Sequence, residues 1–327
     1  LAPRRVARRT MGAGASGPEA GQAIMLGVVA YSDSVGSIWE GMRQYFASVD
    51  VPLDFCMFTS YDRMVEALVH GHIDIAWNGP LAHVRLKRRT GGKSISLGMR
   101  DCDRNFRSHL VVRKGAGIDS LAALAGKRLA TGAYDSPQAY VLPLQAIGAA
   151  PGGEGLLKSI HVVRFDKDLG KHGDTAAGEL EVMRALSAGE VDAGFVSDVM
   201  WSKALAAREV NGKGQAQLVV LSDVVPPFDH CQFDAMPTLS ATKRDMFSKA
   251  LFAMSMGVPE HKAVMQLEGI REKWEGPRED GYARMHDALA AEPGVPFPPP
   301  LDTVSKHRFA SLEVRGDRGI HATKFER

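Results

Sequence analysis

ALVHGHIDIAWNGP, residues 67–80, is written a second time in altered spelling as ALSAGEVDAGFVSD, residues 185–198. Each copy runs Ala-Leu, two residues, Gly, one residue, an aliphatic, Asp, two residues and an aromatic. Gly71 and Gly189 stand where a helix stops, because the residue past the last turn takes left-handed backbone that glycine adopts without a Cβ penalty. Ile73 and Val191 then open short apolar runs of strand character. Two copies are too few for a solenoid, which needs three or more stacked units. The phrase therefore predicts one helix–Gly–strand unit in each of two modules.

Working outward, short β-rich runs alternate with helical stretches, the pattern of an α/β fold. The first module reads as strands over 23–31, 53–58, 73–77, 94–99 and 108–113, with helices over 37–49, 61–71 and 80–89. The second reads as helices over 120–126, 137–148, 179–189 and 199–210. Its strands fall over 127–131, 160–165, 192–196 and 217–222. A further strand is expected within 233–240, followed mostly by helix. The Pro-rich stretch EPGVPFPPPL (292–301) closes the ordered part, and the tail past residue 302 is charged and weakly patterned. Residues 1–22 are basic, Gly/Ala-rich and aperiodic, which predicts a disordered leader. They lack the apolar core of about 7–15 residues that a signal peptide carries.

Bulk composition excludes several classes. Of 327 residues, 40 are basic and 38 acidic, a net charge of +2 that is too even for a nucleic-acid binder. No apolar run approaches the roughly 20 residues that span a bilayer, so no membrane insertion is expected. Hydrophobic content of 45% suits ordinary packed cores. Three cysteines, Cys56, Cys102 and Cys231, show no metal-type pairing and no disulfide framework, although one bridge among them is possible. Cys56, inside LDFCMF, reads as a buried small hydrophobe.

Asp74 and Asp192, at matched positions of the phrase, suggest paired catalytic carboxylates. Strand direction argues otherwise. Ligands of open α/β sheets bind outside the carboxyl ends of strands, and both aspartates fall at the amino ends, where holding the turn is the expected role. Interest moves to Trp77-Asn78-Gly79-Pro80 and Ser197-Asp198. Asn78 reads as an N-cap, Gly79 allows close backbone approach and Pro80 suits a first helical turn. Free N–H groups at such a helix start can receive an anion.

The run FTSYDRMVEALVHGHIDIAWNGPLAHV, followed in order by RSHLVVRKGAGIDSLAALAGKRLATG, DSPQAYVLPLQAIGAA and GDTAAGELEVMRALSAGEVDAGFVSD, resembles the phosphonate/phosphite-type solute-binding proteins of ABC importers. The likeness covers roughly residues 23–245. It implies a type II periplasmic-binding fold, with mixed sheets in two α/β lobes, two crossover strands and a ligand trapped by hinge closure. Lobe one would comprise 23–110 plus 225–302 and lobe two 111–222, with hinges near His109 and Pro226. Carried over by position, the ligand contacts would be Tyr31-Ser32, Thr59-Ser60-Tyr61, Trp77-Asn78-Gly79 and, in the second lobe, Tyr134, Ser136 and Gln138. His172, Asp198 and His230 would face the same cleft.

The fourth of these places departs from the family's hydroxyl-rich cluster. YDSPQ offers one hydroxyl, Ser136, beside the acidic Asp135, and an acid next to a bound dianion is costly unless it is otherwise engaged. An amino-bearing phosphonate or another small zwitterion fits as well as a plain oxyanion. His172, Asp174, Asp229, His230 and Cys231 are metal-ligand types, yet none has a short ligand spacing, so neither metal nor cofactor is expected. Cys102 keeps open a sensor that binds a metalloid and signals to a partner protein. No nucleophile elbow, phosphate loop or dinucleotide fingerprint marks an enzyme, although the fold hosts some. The expectation is a monomeric, non-catalytic, periplasmic or otherwise extracytoplasmic solute-binding protein, whose partners are a small anionic or zwitterionic solute and a membrane permease.

Overall fold

The computed structural model describes residues 23–290, 311–316 and 319–324; the 1–22 leader and the 292–301 proline stretch lie outside them. The chain opens with β1 (Ile24–Val29), α1 (Val35–Ser48), β2 (Leu53–Phe58), α2 (Tyr61–Val69), β3 (Ile75–Asn78), α3 (Pro80–Arg89) and β4 (Ile95–Arg100). It continues as β5 (Ser108–Arg113), β6 (Arg128–Thr131), α4 (Leu142–Ala149), α5 (Gly153–Ser159), β7 (His161–Asp166), α6 (Ala177–Ala188), β8 (Ala193–Ser197), α7 (Asp198–Ala206) and β9 (Leu218–Asp223). It ends with β10 (Gln232–Ala235), α8 (Ala241–Ala253), α9 (Pro259–Leu267), β11 (Trp274–Glu275), α10 (Ala283–Ala290), β12 (Ser311–Gly316) and β13 (Gly319–Lys324).

Two mixed sheets result, ordered β11-β4-β10-β3-β1-β2 and β13-β12-β7-β6-β8-β5-β9. The chain crosses from the first to the second between β4 and β5 and returns between β9 and β10, and after β11 it supplies β12 and β13 to the second sheet. The two crossing segments pair with each other: the Phe106 N–H donates to the Phe228 carbonyl at 2.7 Å and the Phe228 N–H returns the bond at 3.1 Å.

Both faces of the second sheet are buried, which is why its strands read as continuous apolar runs. Leu110, Leu129, Val162 and Phe195 face one core, and their immediate neighbours Val111, Ala130, Val163 and Val196 face the other. In the first sheet Trp39, Phe46, Trp77, Phe233 and Phe247 fill one side, while Met64, Leu68 and Leu86 fill the other.

The repeated phrase folds the same way twice. Gly71 and Gly189 have φ of +71° and +76°. The residue after each donates to the phrase's opening alanine, His72 to Ala67 at 2.8 Å and Glu190 to Ala185 at 2.9 Å, a Schellman closure. Each aspartate then clamps the start of the neighbouring parallel strand. The Met25 N–H donates to Asp74 Oδ2 at 2.8 Å, and the Arg128 N–H donates to Asp192 Oδ2 at 2.9 Å. In return the aspartate N–H groups donate to the carbonyls of Met25 (2.8 Å) and Arg128 (2.9 Å). The aspartates thus hold a strand rather than only a turn. Asp74→Ala and Asp192→Ala should each cost about 1–3 kcal/mol, the cost of a strand N–H left without its charged acceptor. Urea denaturation of the two variants should show losses of similar size, and a loss at one site alone would contradict the equivalence.

Several elements depart from the sequence reading. Residues 120–126, expected as a helix, give only a 3-10 turn at Ala122–Leu124. The helix expected over 137–148 divides into a π-helical turn, Pro137–Val141, and α4, because Pro143 in the first turn of α4 has no N–H to extend the preceding ladder. Strands β12 and β13 arise in what reads as a weakly patterned tail; β12 pairs in parallel with β7 and with β13 as a hairpin. Cys56 is exposed, not buried, because β2 is an edge strand with one neighbour.

Candidate functional site

The carboxyl ends of the two sheets meet at α2. Ser60 caps this helix, its Oγ accepting the Arg63 N–H at 3.5 Å. The Tyr61 N–H, one of the helix's free donors, points across to the other sheet and bonds the Gly170 carbonyl at 2.9 Å. The Tyr61 ring stacks on His172 with centroids 4.6 Å apart, and its hydroxyl donates to Asp174 Oδ2. Gly170, His172 and Asp174 all lie on the loop between β7 and α6. A Cβ on Gly79, which caps α3, would sit 3.7 Å from Asp174 Oδ2, so this carboxylate lies against the first turn of α3. Asp174 Oδ1 is 3.8 Å from His230 Nε2.

From its own side the loop is held by Asp135, whose Oδ2 accepts the Gly170 N–H at 2.6 Å, and by Gln138, whose Nε2 lies 3.5 Å from the Gly173 carbonyl. Asp135 is therefore a tether, which removes the sequence objection to an acid at this place. Gln138 Nε2 also donates to Glu179 at 3.0 Å. Glu179 is buried and accepts the Ser197 N–H at 2.5 Å and the Ser197 hydroxyl at 2.7 Å. One carboxylate at the start of α6 thus joins the end of β8 to the turn that carries Ser136 and Gln138.

Burial controls the ionisation of these groups. It pushes Asp174 up to about 7, against the Tyr61 hydrogen bond and the Arg100 charge that favour the carboxylate. Burial raises Asp135 to about 6 against the Gly170 N–H. His230 is pushed down to about 4 by burial, and His172 falls well below the usual range for the same reason, helped by the positive charge of Arg85. At neutral pH both imidazoles are neutral. The Tyr61 phenol is raised by burial and then by the Asp174 charge, so it remains a donor.

The expected site residues divide. Ser60, Tyr61, Gly79 and His172 gather around the β7–α6 loop, with Ser136, Gln138 and His230 on its flanks. Tyr31 is partly buried, and its hydroxyl is raised first by burial and then by the Glu268 and Asp174 charges, which puts it beside the group. Tyr134 is buried on the second-sheet side, with Arg164 over its ring at 5.3 Å. Trp77 packs in the first core against Phe233, ring centroids 4.4 Å apart. Ser32 is exposed and bonds Ser34, and Thr59 is exposed. Asp198 accepts the Arg107 N–H at 3.2 Å, serving the crossing segment.

Asn78 does not cap α3. Its Nδ2 donates to Asp234 at 2.9 Å, within a buried set where Asp234 also meets His83 at 2.9 Å. Burial opposes a charge on His83, but the carboxylates of Asp234 and Glu279 outweigh it and raise the ring to about 9.

Sequence reasoning left Asp174 and Glu179 out of the site. Asp174 carried a signal, an acid in a Gly-rich loop at a strand's carboxyl end, whereas Glu179 reads as an ordinary residue of a first helical turn. Cys102 is partly buried, and burial raises its thiol to about 11. Among the described residues, Asp103, His230 and Cys231 bring three metal-ligand-type atoms within 4.8 Å of one another. No described helix is long and apolar enough to cross a membrane.

A family model described as ABC transporter, phosphonate, periplasmic substrate-binding protein matches residues 27–282. Among solved structures, the chain is similar to PhnD1 from Prochlorococcus marinus in complex with methylphosphonate. The identity is 17%, the TM-score 0.59, and the match covers 82% of this chain and 97% of that one. It is also similar to a binding protein component of an ABC phosphonate transporter from Pseudomonas aeruginosa (16% identity, TM-score 0.57, 82% and 85% covered). A third is the periplasmic aliphatic sulphonate binding protein SsuA from Escherichia coli (17% identity, TM-score 0.50, 84% of each chain covered). What these share with this chain is the fold, the two mixed sheets of a type II periplasmic binding protein.

Proposed function

The chain belongs to the periplasmic substrate-binding proteins of phosphonate-type ABC transporters, and on that premise we propose that it captures a small oxyanion or zwitterion between its two sheets and delivers it to a membrane permease. The solute is of phosphonate, phosphite or phosphate type. The chain acts as a monomer outside the cytoplasm and binds without turnover. Its lobes are 23–110 with 225–302, and 111–222, hinged at the paired crossing segments around Phe106 and Phe228.

The observation that carries this reading is the position of Asp174. A carboxylate already lies against the first turn of α3, holding the Tyr61 hydroxyl, beside a helix start whose N–H is spent on Gly170. Donors arranged for an anionic oxygen are what a phosphonate needs. The β7–α6 loop lies against these donors, and the solute takes over the Tyr61 hydroxyl, the α2 and α3 starts and the Ser136 hydroxyl.

A thermal-shift panel of phosphonates, phosphite, phosphate, sulfonates and amino-bearing phosphonates tests this. One class should raise the melting temperature in proportion to the logarithm of its concentration. Tyr61→Phe should weaken that ligand about tenfold, the worth of one charge-assisted hydrogen bond. Failure of every member to shift the melting temperature would remove the oxyanion assignment.

A further inference from the structure

We propose that Asp103, His230 and Cys231 form a binding site for a borderline divalent metal ion such as zinc, with Asp174 as the positioning carboxylate of the histidine. The inference does not rest on the solute reading, since the ligands come from the two crossing segments and need no oxyanion.

The three donor atoms lie within 4.8 Å of one another and all three residues are buried. His230 Nδ1 is 3.1 Å from Cys231 Sγ and 3.6 Å from Asp103 Oδ1. Ligand atoms on tetrahedral zinc, with bonds of roughly 2.0–2.3 Å, stand roughly 3.3–3.6 Å apart, so small side-chain adjustments admit an ion. The set of one imidazole, one thiolate and one carboxylate suits zinc rather than magnesium or calcium, which take oxygen shells. Three protein ligands leave a fourth position open.

The surroundings are those of a metal-binding histidine. A ligating imidazole uses one nitrogen for the ion and donates its other N–H to a carboxylate, which fixes the tautomer. His230 Nε2 is buried without a hydrogen-bond partner among the described residues, and Asp174 Oδ1 lies 3.8 Å from it. The ring is clamped in orientation: Phe106 stacks on it at 4.4 Å, its backbone N–H bonds the Asp103 carbonyl at 2.8 Å, and its carbonyl accepts the Tyr282 hydroxyl at 2.9 Å. Asp103 is fixed in turn by Arg100, through bonds of 2.6 and 2.8 Å. Arg100 also meets Glu268 at 3.0 Å. One guanidinium thus faces the carboxyl groups of both Asp103 and Glu268, and a bound cation offsets the surplus of buried acid. The ligand spacing hid this site in the sequence, because Asp103 arrives on the first crossing and the His-Cys pair on the second.

The test uses the full chain, stripped with chelator and free of any oxyanion, titrated with Co2+ and then Zn2+. Wild type should bind one Co2+ with a thiolate-to-cobalt charge-transfer band in the near ultraviolet, and Zn2+ should displace it. Cys231→Ser should abolish the band, whereas Cys56→Ser and Cys102→Ser should keep it. Asp174→Asn should keep the band but weaken Co2+ binding about 10- to 100-fold. His230→Gln, with its fold checked by circular dichroism, gives a second ligand variant and should weaken binding by more. Absence of the band in wild type, or its survival in Cys231→Ser, would overturn the proposal. Neither result bears on whether a phosphonate binds.

Discussion

Asp174→Ala is expected to bind the oxyanion selected by the ligand panel at least about tenfold more tightly than wild type at pH 8. The carboxylate of Asp174 holds the Tyr61 hydroxyl and lies against the start of α3. An anion entering this place meets the same donors and a like charge. Two unit charges about 4 Å apart repel by about 4 kcal/mol at an effective dielectric of 20, and displacement of the loop recovers only part of that.

The effect has a signed pH dependence. Burial raises Asp174 to about 7, so below that pH the wild-type carboxyl is protonated and the repulsion fades. Above it the group is charged and competes. The affinity ratio of variant to wild type should therefore rise from pH 6 to pH 8, and taking the ratio cancels the ligand's own protonation. Calorimetric titration of both proteins at the two pH values measures it. Equal or weaker binding by the variant at pH 8 would mean that Asp174 is not in the anion's place. For an amino-bearing ligand paired to this acid the sign reverses, so the same experiment separates oxyanion from zwitterion.

Glu179→Ala is expected to destabilise the protein by about 3–5 kcal/mol, the cost of leaving three buried donors without their acceptor. Its carboxylate is the acceptor for the Ser197 N–H, the Ser197 hydroxyl and Gln138 Nε2. Alanine leaves these three donors buried without it, and each carries its own desolvation cost. Glu179→Gln should lose less, because one oxygen remains to accept, although its amide then faces donors. The midpoint of urea denaturation reads both variants. The loss should also loosen the Ser136–Gln138 turn, so whatever solute affinity remains in Glu179→Gln should fall with stability. A loss below about 0.5 kcal/mol for alanine, the usual range of surface substitutions, would show that the three donors find other partners.

Much of the fold was legible because its signals are local. The strand at 53–58 and the helix at 80–89 run as their patterns predict. Period-2 alternation, a Pro at the start of α3 and a glycine after α2 each act within a few residues. The failures have physical causes as well. Residues 120–126 have helix-favouring composition, but Gly126, at φ +70°, closes the chain after one turn. Cys56 reads as buried because its neighbours are apolar, and only the order of strands reveals that it lies on an edge.

The site was half legible. Gly79 follows from strand direction, since it lies at a carboxyl end where any α/β sheet presents a helix start, whereas Ser60 and Tyr61 come only from the family resemblance. Trp77 lies at the same end, but alternation turns it into the aromatic core, and Asn78 is drawn from the cap by Asp234. Those partners lie 156 residues apart for Asn78–Asp234 and 113 for Tyr61–Asp174. No local pattern encodes such pairings.

By itself the sequence determined that one helix–Gly–strand unit would appear twice, that two α/β sheets would follow from it, and that the two matched aspartates would be structural. Backbone sterics and side-chain periodicity act along the chain, so they can be read there. Tertiary structure alone decided what those aspartates hold, that the β7–α6 loop brings Asp174 to Tyr61, and that Asp103 meets His230 and Cys231 between the crossings. These are juxtapositions of buried polar groups, and desolvation gives each its meaning only once packing has fixed its neighbours.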